Sequence, residues 1–108
     1  MIVCVPTTST GFIDPRWGKA GRVVVATVED GGITDWQESA VGWDQSHDEG
    51  SEGSHHARIA RFLIDHQVEA VVAHHMGEGM QRMLSTMGLQ VFLGADGDAR
   101  AAVLAASS

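Results

Sequence analysis

The stretch 53–80 limits the folds open to this chain more than any other. It contains an amphipathic helical pattern, then the continuous apolar run AVVA at 70–73, and then a second helical pattern. An apolar run without polar alternation is typical of a strand that is buried on both faces. A buried strand between two helices belongs to a crossover unit, which pairs its strands in parallel. The sequence therefore predicts an α/β fold.

The other predicted elements complete a single domain over residues 1–108. Apolar and β-branched runs predict four more strands, at 2–5, 22–29, 33–38 and 90–93. The residues Asp30-Gly31-Gly32 predict a hairpin turn, because glycine accepts the positive φ that such turns need. Helical periodicity predicts three helices, one capped by Ser54 and the others at 80–87 and 98–106. The order βββαβαβα predicts a mixed five-stranded sheet flanked by helices.

Residues 39–54 interrupt this pattern with an acidic segment that is rich in serine and glycine. Apart from Val41 and Trp43 the segment has no large apolar side chain to bury, so we expect a solvated and mobile loop. Trp43 is the residue that we expect to fold over a bound ligand. His47, in the same loop, is a candidate for an additional metal ligand.

Two pairs of adjacent histidines, His55-His56 and His74-His75, stand where the sequence predicts helix starts. Helix starts and the carboxyl ends of parallel strands meet at one edge of a sheet, so we expect both pairs there. Neutral imidazole binds metal ions, and a helix N-terminus disfavours imidazole protonation and attracts anions. The sequence therefore predicts a metal or anionic-cluster site built on these four histidines.

Other residues near this edge could contact the same ligand. Met76 and Met80 carry thioethers, which suit copper(I) or a sulfide cluster. Arg16 and Lys19 suit an anionic ligand. Trp17 either closes the end of the sheet or contributes to binding, and the sequence leaves both readings open.

The only cysteine, Cys4, lies in the middle of the first predicted strand, so we expect a buried and unreactive thiol. A conventional iron–sulfur centre takes four cysteines. A cluster in this chain would therefore need histidine, methionine or sulfide ligands, or a dimer. A lone cysteine also suits a reducing cytoplasm, where we expect the protein to be.

The net charge of −7 disfavours binding to nucleic acids and anionic membranes. No apolar run approaches the ~20 residues that a membrane-spanning helix needs. The sequence contains no G-x-S-x-G, P-loop or H-E-x-x-H motif. We therefore predict a binding protein, not an enzyme.

Four segments, in order, resemble the dinitrogenase iron–molybdenum cofactor biosynthesis family, which includes NifX, NafY and the C-terminal domain of NifB. They lie at 14–20, 28–33, 68–73 and 88–94, and the resemblance covers nearly the whole chain. It implies a ribonuclease H-like fold and the non-covalent, non-catalytic binding of metal–sulfur clusters or cofactor precursors related to nitrogen fixation. The chain departs from the family at Trp17, where phenylalanine is usual, and at both histidine pairs.

Residues and resemblance together predict a carrier for a metal–sulfur cluster of the Fe/Mo or Mo/Cu sulfide type. Its partners would be cluster-delivering and cluster-accepting proteins, and we expect a monomer or a weak homodimer. The alternative is a protein-interaction module whose histidines hold a single Zn or Ni ion. A ribonuclease H-like hydrolase is disfavoured, since the predicted strands at 2–5 and 70–73 offer none of the carboxylates that two-metal nucleases need.

Overall fold

A computed structural model describes residues 1–46 and 50–107 and contains a five-stranded sheet with helices on both faces. The strands are β1 (Ile2–Pro6), β2 (Arg22–Glu29), β3 (Gly32–Ala40), β4 (Ala70–Val72) and β5 (Gln90–Phe92). The helices are α1 (Trp43–Ser46), α2 (Glu52–Asp65), α3 (Glu78–Thr86) and α4 (Ala99–Ala106), and a 3-10 turn spans Trp17–Lys19. The α/β class and the five strands that the sequence predicts are confirmed.

The strand order in the sheet is β3-β2-β1-β4-β5. Neighbours β1 and β2, and β2 and β3, are antiparallel, whereas β4 pairs in parallel with both β1 and β5. Helices α2 and α3 are the crossovers that lead into the two parallel strands. Both helices therefore begin near the carboxyl ends of β1 and β4, which is the edge that the sequence predicts for a site.

The sheet separates two apolar cores. Cys4 and Val71 pack on the side of α2 and α3, while Val3 and Val72 pack on the side of α4. Strands that are buried on both faces have no polar alternation, which explains the continuous apolar runs. Burial raises the pKa of the Cys4 thiol, which is fully inaccessible to solvent, so the expected burial of this thiol is confirmed. In the described residues no helix is both long and apolar enough to span a membrane.

The helix starts differ from those that the sequence predicts. Ser51, not Ser54, caps α2, and its side chain accepts a hydrogen bond from the Ser54 backbone N–H at 3.1 Å. The pair His55-His56 therefore lies one turn inside α2. Helix α3 begins at Glu78, so the pair His74-His75 lies in the connection before it and not at its start. Both serines satisfy the capping preference, and the choice between them depends on the tertiary fold.

The segment 39–54 contains more regular structure than we expected. Strand β3 continues to Ala40, and α1 begins at Trp43. Trp43 is only 2% exposed, with its ring 5.2 Å from that of Trp17 and 5.8 Å from that of Phe62, both edge-on. The expectation of one irregular loop is wrong for these residues, because the indole finds an aromatic cluster that buries it. His47 lies outside the described residues.

Candidate functional site

A cavity of about 600 Å³ lies between the 3-10 turn, the start of α2 and the start of α3. Its volume falls within the range of roughly 300–1,000 Å³ that small ligands occupy in proteins. Glycine makes up much of the wall, so backbone groups face the space without side chains over them. The wall consists of Trp17, Gly18, Gly50, Glu52, His55, His56, Met76, Gly77, Glu78, Gly79 and Met80.

Helix α3 directs an uncapped N-terminus to this cavity. Gly77 is its N-cap and has no side chain to accept a hydrogen bond from the first turn. The first turn, Glu78 to Met80, forms part of the wall. The N–H groups of a first turn have no partner within the helix, and together they carry roughly half a positive charge. The cavity therefore offers backbone donors to an anionic or sulfide-bearing ligand.

Trp17 forms part of the same wall and carries a buried indole N–H. Its side chain is 1% exposed, and within the described part of the chain its indole Nε1 has no hydrogen-bond partner. Buried polar groups without a partner are rare, because each loses its hydrogen bonds to water. The Nε1 atom is itself closed to solvent, so it does not open into the cavity.

His56 connects the two helices across the cavity. Its Nε2 lies 3.7 Å from Oε1 of Glu52, and its side chain is 23% exposed. Its Cε1 lies 3.5 Å from the position that a Cβ would take at Gly79. The imidazole is thus held beside the first turn of α3 and is partly accessible, as a metal ligand needs to be.

His55 is packed more deeply and has contacts on both ring nitrogens. Its Nε2 lies 2.6 Å from the carbonyl oxygen of Gly18, and its Nδ1 lies 3.4 Å from Nη1 of Arg58. The residue is 4% exposed. These contacts conflict with the role of metal ligand that the sequence suggested, because both nitrogens already have partners.

Met76 and Met80 bring thioethers to the cavity wall. Both residues are buried, at 4% and 5% exposure. The carbonyl oxygen of Met76 accepts a hydrogen bond of 2.9 Å from Nε2 of Gln81, which fixes the chain just before α3. Thioether and imidazole together form a soft donor set, which suits copper(I) or a metal–sulfide ligand better than a hard cation.

The second histidine pair is not part of this cavity. His74 and His75 are exposed, and Nδ1 of His74 donates a hydrogen bond of 3.2 Å to the carbonyl oxygen of Ala95. His75 pairs through its backbone with Arg16. The structure therefore does not bring the four histidines together, and among the described residues no three of His, Cys, Asp and Glu are grouped to hold a metal ion.

Three other candidate residues also lie outside the cavity wall. Arg16 pairs with the buried carboxylate of Asp14, with Nε 3.3 Å from Oδ1, so its charge is already balanced. Lys19 is exposed at the end of the 3-10 turn. Trp43 packs behind Trp17 and does not reach the ligand space.

The family model for the dinitrogenase iron-molybdenum cofactor matches residues 1–108. The chain belongs to this family. Membership suggests a cofactor-binding or carrier role. A comparison with curated proteins finds no significant match.

Several solved structures share the fold of this chain at low sequence identity to it. The crystal structure of PH0822 matches with a TM-score of 0.77 and 18% identity, over 99% of this chain and 89% of that one. The apo form of the orange protein from Desulfovibrio gigas matches with a TM-score of 0.76 and 19% identity, over 94% and 82% of the two chains. A putative NifB protein from Thermotoga, solved by NMR, matches with a TM-score of 0.65 and 18% identity, over 98% and 86%. At such identities the likeness shows the shared fold alone, and the ribonuclease H-like assignment stays a prediction.

Sequence reasoning missed several wall residues of this iron-molybdenum cofactor family member. Gly77 and Gly79 flank the start of α3, and the motif G-E-G before a helical pattern is the signal that could have found them. Glu52 and Glu78 were also missed, and both are exposed at the cavity. The cavity therefore combines backbone donors, soft side chains and two outer carboxylates.

Proposed function

We propose that this protein is a non-catalytic carrier that binds an anionic metal–sulfur cluster, or a metallocofactor precursor, in the cavity between the 3-10 turn, α2 and α3. The cluster would be of the Fe/Mo or Mo/Cu sulfide type. The observation that carries the proposal is the wall itself, where the uncapped first turn of α3 lies around one space with His56 and two thioether side chains.

Each part of the wall suits a different part of such a ligand. Sulfide and oxo groups accept hydrogen bonds, so they would pair with the first-turn N–H groups of α3. The metal ions of such a cluster are soft electrophiles, and imidazole and thioether groups bind them. His56, Met76 and Met80 are therefore the side chains that we assign to direct metal contact. The carboxylates of Glu52 and Glu78 would repel an anion and should turn to solvent.

A carrier role fits the chemistry of this wall better than catalysis does. Among the described wall residues there is no serine, cysteine or lysine next to a base that could act as an activated nucleophile. Clusters bound without covalent attachment can be transferred, so we propose cluster-delivering and cluster-accepting proteins as partners and the cytoplasm as the compartment.

The competing function is a site for one Zn or Ni ion, and one contact favours it. His56 Nε2 lies 3.7 Å from a Glu52 carboxylate oxygen, so two hard or borderline donors are close together. A single ion of this kind would need further ligands, such as water or Glu78.

Anaerobic reconstitution with ferrous iron, tetrathiomolybdate and sulfide, followed by desalting and metal analysis, tests the proposal. We expect a protein-bound visible chromophore with a fixed ratio of metal to sulfide. A variant with His74→Ala and His75→Ala, which lie outside the cavity, serves as the matched control and should retain the same chromophore. Failure to retain colour, together with tight binding of one colourless Zn ion, would favour the competing function.

A further inference from the structure

We propose that His55 is a positioning residue that holds the Trp17 side of the cavity against α2, and that His55 does not bind the metal itself. The inference rests on the function proposed for the cavity and decides which of the two adjacent imidazoles is the ligand. His55 and His56 are neighbours in one helix, but α-helix geometry turns successive side chains by about 100°. The two rings therefore meet different surroundings.

The first argument concerns Nε2 of His55. It lies 2.6 Å from the carbonyl oxygen of Gly18, and a carbonyl oxygen can only accept a hydrogen bond. The ring nitrogen must therefore carry the hydrogen, so its lone pair is not available to a metal ion. Because His55 is almost completely buried, the ring cannot leave this contact without leaving a buried ring nitrogen unpaired.

The second argument concerns Nδ1. Nη1 of Arg58 lies 3.4 Å from it, and a guanidinium group only donates. The Arg58 guanidinium thus lies against the second ring nitrogen of His55. A metal cation at Nδ1 would have to displace this contact and approach a positive charge.

These contacts continue beyond the ring. Nη1 of Arg58 also lies 3.3 Å from the carbonyl oxygen of Ser46. One continuous set of polar contacts thus runs from Gly18, in the 3-10 turn, through α2 to the last residue of α1. The two joined segments carry Trp17 and Trp43, whose rings are in contact.

The consequence for the ligand lies in Trp17. The 3-10 turn is only three residues long, and its backbone is tied to α2 by the bond from His55 to Gly18. Loss of this bond would free the turn and move the side chain of Trp17, which forms part of the cavity wall. His55 thereby acts on the ligand through Trp17.

Substitution by glutamine separates the two roles. The His55→Gln side chain keeps an N–H donor and an oxygen acceptor but has no imidazole lone pair, whereas His55→Leu keeps neither. We expect His55→Gln to retain the reconstituted iron–molybdenum–sulfide chromophore within about twofold of the wild-type affinity, and His55→Leu to lose about fivefold or more, the equivalent of one hydrogen bond. His56→Gln and His56→Leu should both lose the ligand. A loss in His55→Gln as large as that in His56→Gln would overturn the proposal.

Nuclear magnetic resonance shows directly whether Nε2 of His55 keeps its hydrogen when the cluster binds. In ¹⁵N-labelled protein, Nε2 of His55 should carry a hydrogen both before and after reconstitution with iron, tetrathiomolybdate and sulfide. Disappearance of the Nε2 hydrogen on loading would make His55 a ligand and overturn the proposal.

A comparison of variants in the apoprotein, without any bound cluster, tests the positioning role independently of the proposed function. The indole N–H resonance of Trp17 should shift from its wild-type position in His55→Leu and stay close to that position in His55→Gln. If the wild type takes up no cluster, the carrier function fails, but this comparison still decides the positioning role. An unshifted Trp17 resonance in a folded His55→Leu variant would refute that role.

Discussion

The two pairs of adjacent histidines are alike in sequence and unlike in the fold. His55 and His56 lie inside α2, where one ring is buried and the other borders the cavity. His74 and His75 lie in the exposed connection between β4 and α3, and the His74 ring contacts the backbone at Ala95. Both pairs follow the general rule for α/β sheets, because both are near the carboxyl ends of strands.

The difference shows what that rule leaves open. An edge of a five-stranded sheet is wider than a small-ligand site, since adjacent strands lie about 4.8 Å apart. A functional site at the edge needs a second element that packs close to the first. The first turn of α3 provides this element for His56, because Gly79 has no side chain to keep the imidazole away. Neither His74 nor His75 forms part of the cavity wall.

The largest expected difference between the pairs is in ligand affinity. His56→Ala should weaken retention of the reconstituted cluster by about a hundredfold, the upper range for loss of groups that support a metal site. The double variant His74→Ala/His75→Ala should stay within about twofold of wild type, as expected for exposed substitutions. Desalting followed by metal analysis measures both. Equal losses from the two pairs would show that the sheet edge as a whole forms the site.

The second difference is in stability. His55→Ala should lower the free energy of unfolding by ~1–3 kcal/mol, because it removes a buried side chain and leaves the half-buried carbonyl of Gly18 without its donor. His75→Ala, at an exposed position, should change the free energy of unfolding by less than ~0.5 kcal/mol. Urea denaturation of the apoproteins compares the two. A neutral effect of His55→Ala would mean that the contact with Gly18 contributes little to the native state.

The third prediction concerns the lone thiol, Cys4, and the pH dependence of stability. Its control variant also tests whether histidine or this thiol binds the cluster. Burial raises the pKa of Cys4 above its ordinary value of 9.0, so the native thiol keeps its proton after the unfolded chain has lost it. The stability that this proton binding supplies is complete below pH 9.0 and declines as the pH rises toward the native pKa. The free energy of unfolding should fall by ~1.4 kcal/mol per pH unit in that range.

The control for this prediction is Cys4→Ala, which should remove that slope and leave cluster uptake unchanged. The chain contains no tyrosine and only one lysine, so few other side chains titrate in this range. Uptake that is lost in Cys4→Ala, in a variant that remains folded, would move the site from the histidines into the core.

The sequence allowed the fold to be predicted because its strongest signals are local. Continuous apolar runs mark the strands, and a strand between two helical patterns requires parallel pairing, which the register of β1, β4 and β5 confirms. The site depends on contacts that no local pattern contains. Trp43 is buried by rings from two other segments, and Nε2 of His55 is held by a carbonyl group in the 3-10 turn. Two helix starts were predicted at the site, but glycines have no side-chain chemistry to recognise, so Gly77 and Gly79 were not identified as wall residues.

The smallest predicted effect concerns those glycines. In Gly79→Ala the new methyl group would stand 3.5 Å from Cε1 of His56, an ordinary contact, whereas at Gly77 nothing lies within 4 Å. Alanine is the better helix former by ~0.5–1 kcal/mol, so Gly79→Ala should not lower stability. The methyl group restricts the imidazole and narrows the ligand space, and we expect a loss of cluster affinity of about threefold, close to ~0.6 kcal/mol. Gly77→Ala leaves that space open and should lose less affinity, although alanine is a poor N-cap and should cost some stability.

Titration of both apoproteins with the reconstituted cluster, alongside urea denaturation, separates affinity from stability. If Gly77→Ala weakens binding more than Gly79→Ala, the backbone donors at the start of α3, and not the position of His56, dominate recognition.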